Sequence, residues 1–192
     1  MSKMTKKERF LAVSLKLINE KGFKATTIRD IASSLNCEVA NIYNYIDSKQ
    51  SLLETYLFGI SNEFHSAVDT IIDSNISSEK KLRLIIRTHI DLMVKKPYEL
   101  ALLVNEWRNL KEPKLGTFVA ERNTYEDKVK TVIKQGMEQG VFKVLDLEIA
   151  TFTFLSTLRW LHDKNSEHPV QMNPIEIERQ ISTFVFSGIS KK

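Results

Sequence analysis

The sequence contains little of what builds disulfide-bonded or membrane-spanning proteins. Of its 192 residues, one is cysteine (Cys37), four are proline and six are glycine. A single cysteine excludes an internal disulfide framework, and no apolar run approaches the roughly 20 residues that span a bilayer. The basic stretch MSKMTKKERF is not followed by an apolar segment and a cleavage site, so it does not resemble a secretory signal. We therefore expect a cytoplasmic protein with no membrane partner.

The sequence also lacks the residue patterns of enzymes. Its four histidines have no glutamate or cysteine at metal-ligand spacing; they are His65, His89, His162 and His168. There is no glycine-rich phosphate loop and no nucleophile motif. We predict no catalytic residue, no metal site and no cofactor.

A helical pattern runs through the whole sequence. Apolar residues recur with a period of about 3.6, and capping residues separate the repeats. The predicted helices cover about 6–21, 28–34, 38–45, 49–74, 79–95 and 97–110, a seventh ending at Gly140, 147–163, and a ninth from Pro174 to Gly188. The predicted caps are Thr5 with Glu8, Thr27 with Asp30, Ser48, Ser78, Asp146 and Asn173. We predict an all-α fold with a three-helix head (residues 1–51) and a body of about six helices (residues 52–192).

The positive charge of the chain lies in the predicted head. Residues 1–51 hold nine basic and five acidic side chains, whereas the rest of the chain holds nineteen of each. A basic segment beside a neutral body is typical of a module that binds a polyanion. The alternative is a solvated basic tail whose charge has no partner.

The third predicted helix has two different faces. Val39, Ile42 and Ile46 recur at helical spacing and are expected to face the core of the head. Ala40, Asn41, Asn44 and Tyr45 then fall on the opposite, exposed side. Asparagine can pair with adenine, and tyrosine hydroxyls hold phosphate oxygens. Two short helices joined by a brief turn in a basic segment therefore predict a helix-turn-helix that binds double-stranded DNA.

The head resembles that of TetR-type transcriptional regulators. The resemblance covers Phe10–Leu53 and rests on four motifs in order: EKGF at 20–23, TTIRDIA at 26–32, IYNYI at 42–46 and SKQSLL at 48–53. It implies a DNA-binding regulator. It further implies phosphate contacts from Thr27, Tyr43, Tyr45 and Lys49, and base contacts from Val39, Ala40, Asn41 and Asn44.

The turn of the motif departs from the family pattern. The family usually has Ala-Gly-Val-Ser where this chain has Leu35-Asn36-Cys37-Glu38, and glycine where Ala40 stands. We expect Asn36 to adopt the left-handed backbone that glycine would supply. Cys37 is expected to be a structural, buried residue. Glu38 would begin the third helix beside the DNA, and its charge would face phosphates.

The last two helices are apolar around most of their circumference. Such helices are buried on two sides, and the TetR resemblance implies that one side packs on a second copy of the chain. The predicted interface residues are Phe152, Leu155, Trp160, Ile177, Ile181, Phe184 and Val185. A twofold dimer would match a near-palindromic operator. The alternative is an oversized core of a monomer.

A weaker resemblance concerns the body. Residues 101–146 resemble TetR-type repressors that respond to acyl-CoA thioesters, through Glu106-Trp107, Leu110, the pair Arg122 and Tyr125, and GMEQGVF at 136–142. The residues expected to bind an effector are Leu103, Trp107, Arg108, Phe118, Arg122, Tyr125, Phe154 and Leu158. Other apolar or aromatic effectors remain open. A helical protein-interaction adaptor is the alternative from another class.

Overall fold

The computed structural model describes residues 4–167 and 173–191, with the backbone alone at 163–167. Across these residues the regular structure is helical, apart from an isolated bridge between Phe142 and Ser190. The helices are α1 (Lys6–Lys21), α2 (Ile28–Ser34), α3 (Val39–Ile42), α4 (Lys49–Asp73), α5 (Ser78–Lys95), α6 (Pro97–Asn105), a 3₁₀ turn (Trp107–Asn109), α7 (Lys114–Glu138), α8 (Leu147–Glu167) and α9 (Pro174–Ile189). The predicted all-α fold is confirmed.

Helices α1 to α3 and the start of α4 form the head. Its core contains Phe10, Ile18, Ile31 and Ile42, all nearly inaccessible to solvent. The same core continues into the body through Leu52, Leu53, Tyr56 and Leu57 of α4, Leu102 of α6 and Phe118 of α7. The head is therefore packed directly on the body, and α4 belongs to both. The division at residues 51 and 52 stays a prediction.

Helices α4 to α9 enclose a second core. It is built from Phe64, Ile86, Val129, Leu158, Ile181 and other buried side chains on these helices. Helices α5, α7 and α8 each pack against one another and against further helices of the body. This packing brings side chains from distant parts of the sequence into one interior.

Most predicted helix starts are observed. Thr5 with Glu8 and Thr27 with Asp30 form reciprocal capping boxes, and Ser48 caps α4. Helix α5 is the exception, because Ser77 accepts the cap hydrogen bond and Ser78 is the first, buried residue of the helix.

Three helix ends differ from the prediction. Helix α3 stops at Ile42, because the amides of Asn44 and Tyr45 donate to carbonyls only three residues back. Helix α6 stops at Asn105 and gives way to the 3₁₀ turn, and α8 extends to Glu167 instead of residue 163.

The GMEQGVF segment closes the end of α7. A Cβ atom at Gly136 would lie 2.2 Å from the ring of Phe142, so only glycine lets that ring pack on the helix. Gly140 has a φ of +70°, which favours glycine in the turn after the helix. This motif therefore has a structural reason here, independent of any effector.

Candidate DNA-binding surface and effector cavity

The turn before α3 adopts the expected backbone. Asn36 has a φ of +52°, in the left-handed region that asparagine tolerates. Cys37 is half-buried and packs against the core of the head. Glu38 is the N-cap residue of α3, and its exposed side chain makes no capping hydrogen bond. Asparagine thus supplies the turn that glycine usually makes.

The predicted base-contacting residues share one exposed surface, except for Val39. Ala40, Asn41 and Asn44 are exposed, and Tyr43 beside them is 54% exposed. Val39 is half-buried against the core of the head, so most of its side chain packs inward.

Three predicted phosphate contacts have partners within the protein. The ring of Tyr45 stacks on Phe10, with 5.3 Å between ring centroids, so the side chain is half-buried and not fully exposed as expected. The Thr27 hydroxyl donates to Asp30 and caps α2. The hydroxyl and the backbone N–H of Thr27 both donate to the Asp30 carboxylate, and together with the smaller contribution of Lys21 they lower the pKa of Asp30 to about 2.

Lys49 is directed into the protein. Its ammonium donates to the carbonyl oxygens of Phe23 (2.8 Å), Lys24 (3.3 Å) and Thr26 (2.9 Å). Because an ammonium has three donors, these contacts use all of them. Lys49 therefore ties the start of α4 to the turn between α1 and α2, which differs from the expected phosphate contact.

A cavity of about 160 Å³ lies inside the body. Its lining combines aromatic and aliphatic side chains with several titratable ones: Ser61, Phe64, His65, His89, Leu103, Val104, Trp107, Phe118, Arg122, Tyr125, Glu126, Leu155, Arg159 and His162. Five of the eight residues expected to bind an effector are among them, namely Leu103, Trp107, Phe118, Arg122 and Tyr125.

The other three expected residues lie elsewhere. Phe154 and Leu158 are buried in the body's core, on a different side of α8 from the cavity. Arg108 stacks on the ring of Trp107 outside the cavity lining, with 4.5 Å between its guanidinium and the ring centre. Leu155, predicted at the dimer interface, lines the cavity instead. Helical periodicity correctly placed residues of α8 at the cavity, but it did not identify which side of α8 lines it.

Two buried histidines were not foreseen as site residues. His89 on α5 lies 2.8 Å from the Tyr125 hydroxyl through Nε2 and 3.4 Å from His162 Nε2 through Nδ1. Burial lowers the pKa of His89 well below its usual value. Burial, with a smaller contribution from Arg159, lowers the pKa of His162 to about 4. Both imidazoles are therefore neutral at pH 7. No sequence spacing signals this cluster, because its members come from three helices.

The cavity continues into a groove on the surface. Arg122, Glu126, Leu155 and Arg159 line both. The groove also contains Lys130, which pairs with Glu148, while Arg122 pairs with Glu126 at 3.1 Å. A ligand could thus place a compact group inside and a polar group among basic side chains outside.

The cavity wall is joined to the head. Trp107 lines the cavity, and the preceding residue, Glu106, accepts the backbone N–H of Phe23 at 3.1 Å. The second carboxylate oxygen of Glu106 accepts Asn109 at 2.5 Å, and the Asn109 carbonyl accepts Gln50 at 3.1 Å. This short segment therefore lines the cavity on one side and contacts the head on the other.

Comparison with known proteins identifies the family. The family model described as bacterial regulatory proteins, tetR family, matches residues 10–56, and that of the tetracyclin repressor-like C-terminal domain matches residues 75–163. The two matches cover the head and much of the body. The chain belongs to the TetR family of transcriptional regulators.

Individual relatives agree with this membership. The HTH-type transcriptional repressor KstR2 of Rhodococcus jostii is 26% identical over 161 residues, covering 83% of this chain and 78% of that protein. KstR2 of Mycobacterium tuberculosis is 21% identical over 184 residues, covering 95% and 92%. TetR-family members are DNA-binding regulators, so the prediction that this chain is not an enzyme is confirmed.

Solved structures share the fold over the full chain. The ketosteroid transcriptional regulator KstR2 of Mycobacterium tuberculosis aligns with a TM-score of 0.91 at 19% identity, over 100% of this chain and 98% of that one. AibR in complex with isovaleryl coenzyme A and operator DNA aligns with a TM-score of 0.82 at 20% identity, over 96% and 100%. At these identities the likeness establishes the TetR fold. None of the helices in the described residues is long and apolar enough to cross a bilayer.

TetR-family regulators bind DNA as dimers, and α8 and α9 carry an exposed apolar surface. Phe152 and Phe184 are 74% and 73% exposed, and Trp160 is also exposed. Ile149, which was not predicted, extends this surface, since it lines one surface groove together with Phe184. We call these four residues the apolar face.

Three predicted interface residues point the other way. Ile177, Ile181 and Val185 are buried in the core of their own body. A helix that is apolar on all sides does not reveal from its sequence which side meets its own core.

Proposed function

We propose that this regulator is a dimeric repressor that binds a near-palindromic operator and is released by a small effector carrying an acyl thioester. The observation that carries the proposal is the segment Leu103–Asn109. It contributes Leu103 and Trp107 to the cavity and Glu106 to the contact with the head. A ligand that moves Trp107 also displaces the neighbouring Glu106, which is hydrogen-bonded to the DNA-binding head.

The reading of the base sequence is assigned to the exposed residues of α3 and of the turn that follows it. Asn41 and Asn44 have exposed amide groups that match adenine, while Ala40 admits close approach to a thymine methyl. Tyr43 is the exposed tyrosine and is the candidate phosphate contact in place of Tyr45. Glu38 adds a negative charge beside this surface, which weakens phosphate attraction there. Such a regulator would act in the cytoplasm, where bacterial DNA lies.

The effector class follows from the cavity and the groove together. The cavity accepts a compact, largely apolar group, and the groove offers Arg122, Lys130 and Arg159 to an anionic one. The ion pairs of Arg122 and Lys130 are at the surface, where such pairs contribute little stability. Phosphates of a coenzyme A thioester can therefore displace the carboxylates at small cost.

Release requires the effector to favour one arrangement of the head over another. An effector changes operator affinity only by binding two states of the protein with different affinity. The Glu106 contact is the element that differs between the proposed states, because it joins the cavity wall to the turn between α1 and α2. A different position of the two heads in the dimer no longer matches the half-site spacing.

The proposal is tested by selecting operators from random duplex DNA and measuring affinity by fluorescence anisotropy. The native chain is expected to enrich palindromic sites, with affinity that falls steeply with salt. Asn41→Ala and Asn44→Ala should change the selected bases, whereas Asn62→Ala on α4, an exposed asparagine of the body, should not. Butyryl-CoA should release the DNA and coenzyme A alone should not. Unchanged base preference in both variants would contradict the assignment of α3.

A further inference from the structure

The innermost side of the cavity is polar although it is buried. Tyr125 on α7, His89 on α5 and His162 on α8 meet there, and we call these three residues the polar wall. Both histidines are buried, with 7% and 6% of their surface exposed. The ring of Phe64 covers His89, with 4.6 Å between ring centroids. Ordinary packing would place apolar side chains at such a site.

The hydrogen bonds of the polar wall can run in two directions. A neutral imidazole has one N–H and one acceptor nitrogen. If the Tyr125 hydroxyl donates to His89 Nε2, the phenol oxygen keeps a free lone pair. If His89 Nε2 carries the proton instead, it donates to the phenol oxygen and the Tyr125 O–H is free to donate elsewhere. The wall can thus accept from a ligand hydroxyl or donate to a ligand carbonyl.

The polar wall carries no charge to match an ionised ligand group. Burial disfavours the protonated form of both imidazoles, and the guanidinium of Arg159 disfavours it further at His162. A carboxylate placed against the wall would lose hydration without gaining a counter-charge from these three residues, because the cations of the cavity lining, Arg122 and Arg159, belong to the part that it shares with the groove. A neutral oxygen, by contrast, gains a hydrogen bond to the wall without needing a counter-charge.

The size of the cavity limits the group that reaches the wall. Its volume is about 160 Å³, close to that of an engineered cavity of about 150 Å³ that binds benzene. A long unbranched acyl chain exceeds this space. The group must therefore be about as large as a benzene ring, with the remainder of the ligand in the groove.

We propose that the polar wall binds a hydroxyl or oxo oxygen on a compact group of the effector, through the Tyr125 hydroxyl. The effector is then a short, oxygenated acyl thioester and not a plain long-chain one. This inference rests on the proposed role of the cavity as the effector site. It adds Tyr125 as the residue that selects for oxygen, because a site built to pair with an oxygen rejects analogues that lack it.

The test compares two probes of equal size, phenol and toluene, which differ by a hydroxyl in place of a methyl. Their affinities for the native protein and for Tyr125→Phe are measured by NMR titration. Tyr125→Phe should weaken phenol binding by about tenfold, the effect of one lost hydrogen bond to a buried group. It should leave toluene binding within about threefold. Tyr98→Phe, which alters an exposed tyrosine at the start of α6, serves as the matched control and should change neither.

Each other outcome overturns the inference. Equal losses for both probes would mean that Tyr125 only maintains the shape of the cavity. Unchanged phenol binding would mean that its hydroxyl does not contact the ligand, and binding of neither probe would mean that the cavity admits no compact group.

A second pair of probes separates this inference from the proposed function. 3-Hydroxybutyryl-CoA should bind more tightly than butyryl-CoA to the native protein, and Tyr125→Phe should remove the difference. If the phenol result holds but neither thioester binds, the acyl thioester class in the proposed function is wrong while the oxygen contact stands.

Discussion

At the residue scale, Lys49 is a charged side chain that stabilises the fold of the head. Its ammonium serves three carbonyl oxygens of the turn between α1 and α2, and it also lies 4.5 Å from the ring centre of Phe23. These carbonyls follow the end of α1, where the chain turns at Gly22 with a φ of +84°. The side chain thereby fixes the entry of α2 relative to α4.

We predict that Lys49→Met lowers the free energy of unfolding by about 2 kcal/mol, because it removes a charged donor from half-buried acceptors. Chemical denaturation followed by circular dichroism measures the change. Lys24→Met, at an exposed lysine in the same turn, is the control and should have little effect. Full stability of Lys49→Met with lost operator affinity would instead favour the phosphate contact.

The buried histidines predict a dependence of stability on pH. His162 has a pKa of about 4 in the folded protein and an ordinary value of 6.5, and the groups facing it are His89 and Arg159. The unfolded chain therefore takes up the proton first as the pH falls, so stability is lost between about pH 6.5 and 4. For His162 alone the loss between pH 7.5 and 5.0 is about 2 kcal/mol.

Denaturation of the native protein and of His162→Gln at both pH values tests this prediction. The native protein should lose more stability on acidification than the variant, since glutamine does not titrate. Carboxylates contribute equally to both proteins and cancel in the difference. Identical losses would mean that His162 is not held neutral by the fold.

At the scale of elements, the 3₁₀ turn after α6 joins the two functional parts. Glu106 is the C-cap residue of α6, and its carboxylate accepts both the Phe23 amide and the Asn109 side chain. Gln50 on α4 completes the link by donating to the Asn109 carbonyl. The Glu106 carboxylate thus joins the turn after α1 to the 3₁₀ turn, and Asn109 joins the 3₁₀ turn to α4, next to the cavity.

We predict that Glu106→Ala exposes the Phe23 amide to exchange with solvent, because within the described residues this amide donates to the Glu106 carboxylate and to no other acceptor. Hydrogen exchange should accelerate by about tenfold or more at this amide, as expected for loss of a hydrogen bond to a charged group. Glu99→Ala, in the first turn of the same helix, should leave it unchanged. Retained protection would show that the link between cavity and head lies elsewhere.

At the scale of the whole molecule, the apolar face of α8 and α9 stays exposed to solvent in a single copy of the chain. Ile149, Phe152, Trp160 and Phe184 expose large side chains on these two helices. Contiguous exposed apolar surface marks an interaction site, and the same patch on two copies makes a twofold interface. In the dimer proposed above, such an interface would set the spacing of the two heads on the DNA.

We predict that Phe184→Glu converts the dimer to a monomer and lowers operator affinity by at least about a hundredfold, since a charge would be buried at the interface and binding by two heads would be lost. Sedimentation velocity and anisotropy measure the two effects. Val94→Glu, at an exposed valine on α5, should stay dimeric. A dimeric Phe184→Glu would exclude this face as the interface.

The sequence by itself determined the features that depend on neighbouring residues. The capping boxes of α1 and α2, the ends marked by Gly22 and Asn36, and the order of the helices all follow from interactions within a few residues. The TetR head was recognisable for the same reason, because its motifs lie within one continuous stretch.

Only the tertiary structure decided which partner each side chain contacts. Tertiary packing brings together residues that are distant in the sequence: Tyr45 with Phe10, Lys49 with Phe23, and the polar wall formed by His89, Tyr125 and His162. Helical periodicity states that a residue is on an apolar side, but not whether that side faces the core, a cavity or a second copy. Those assignments depend on how α5, α7, α8 and α9 cross, which is a property of their joint packing.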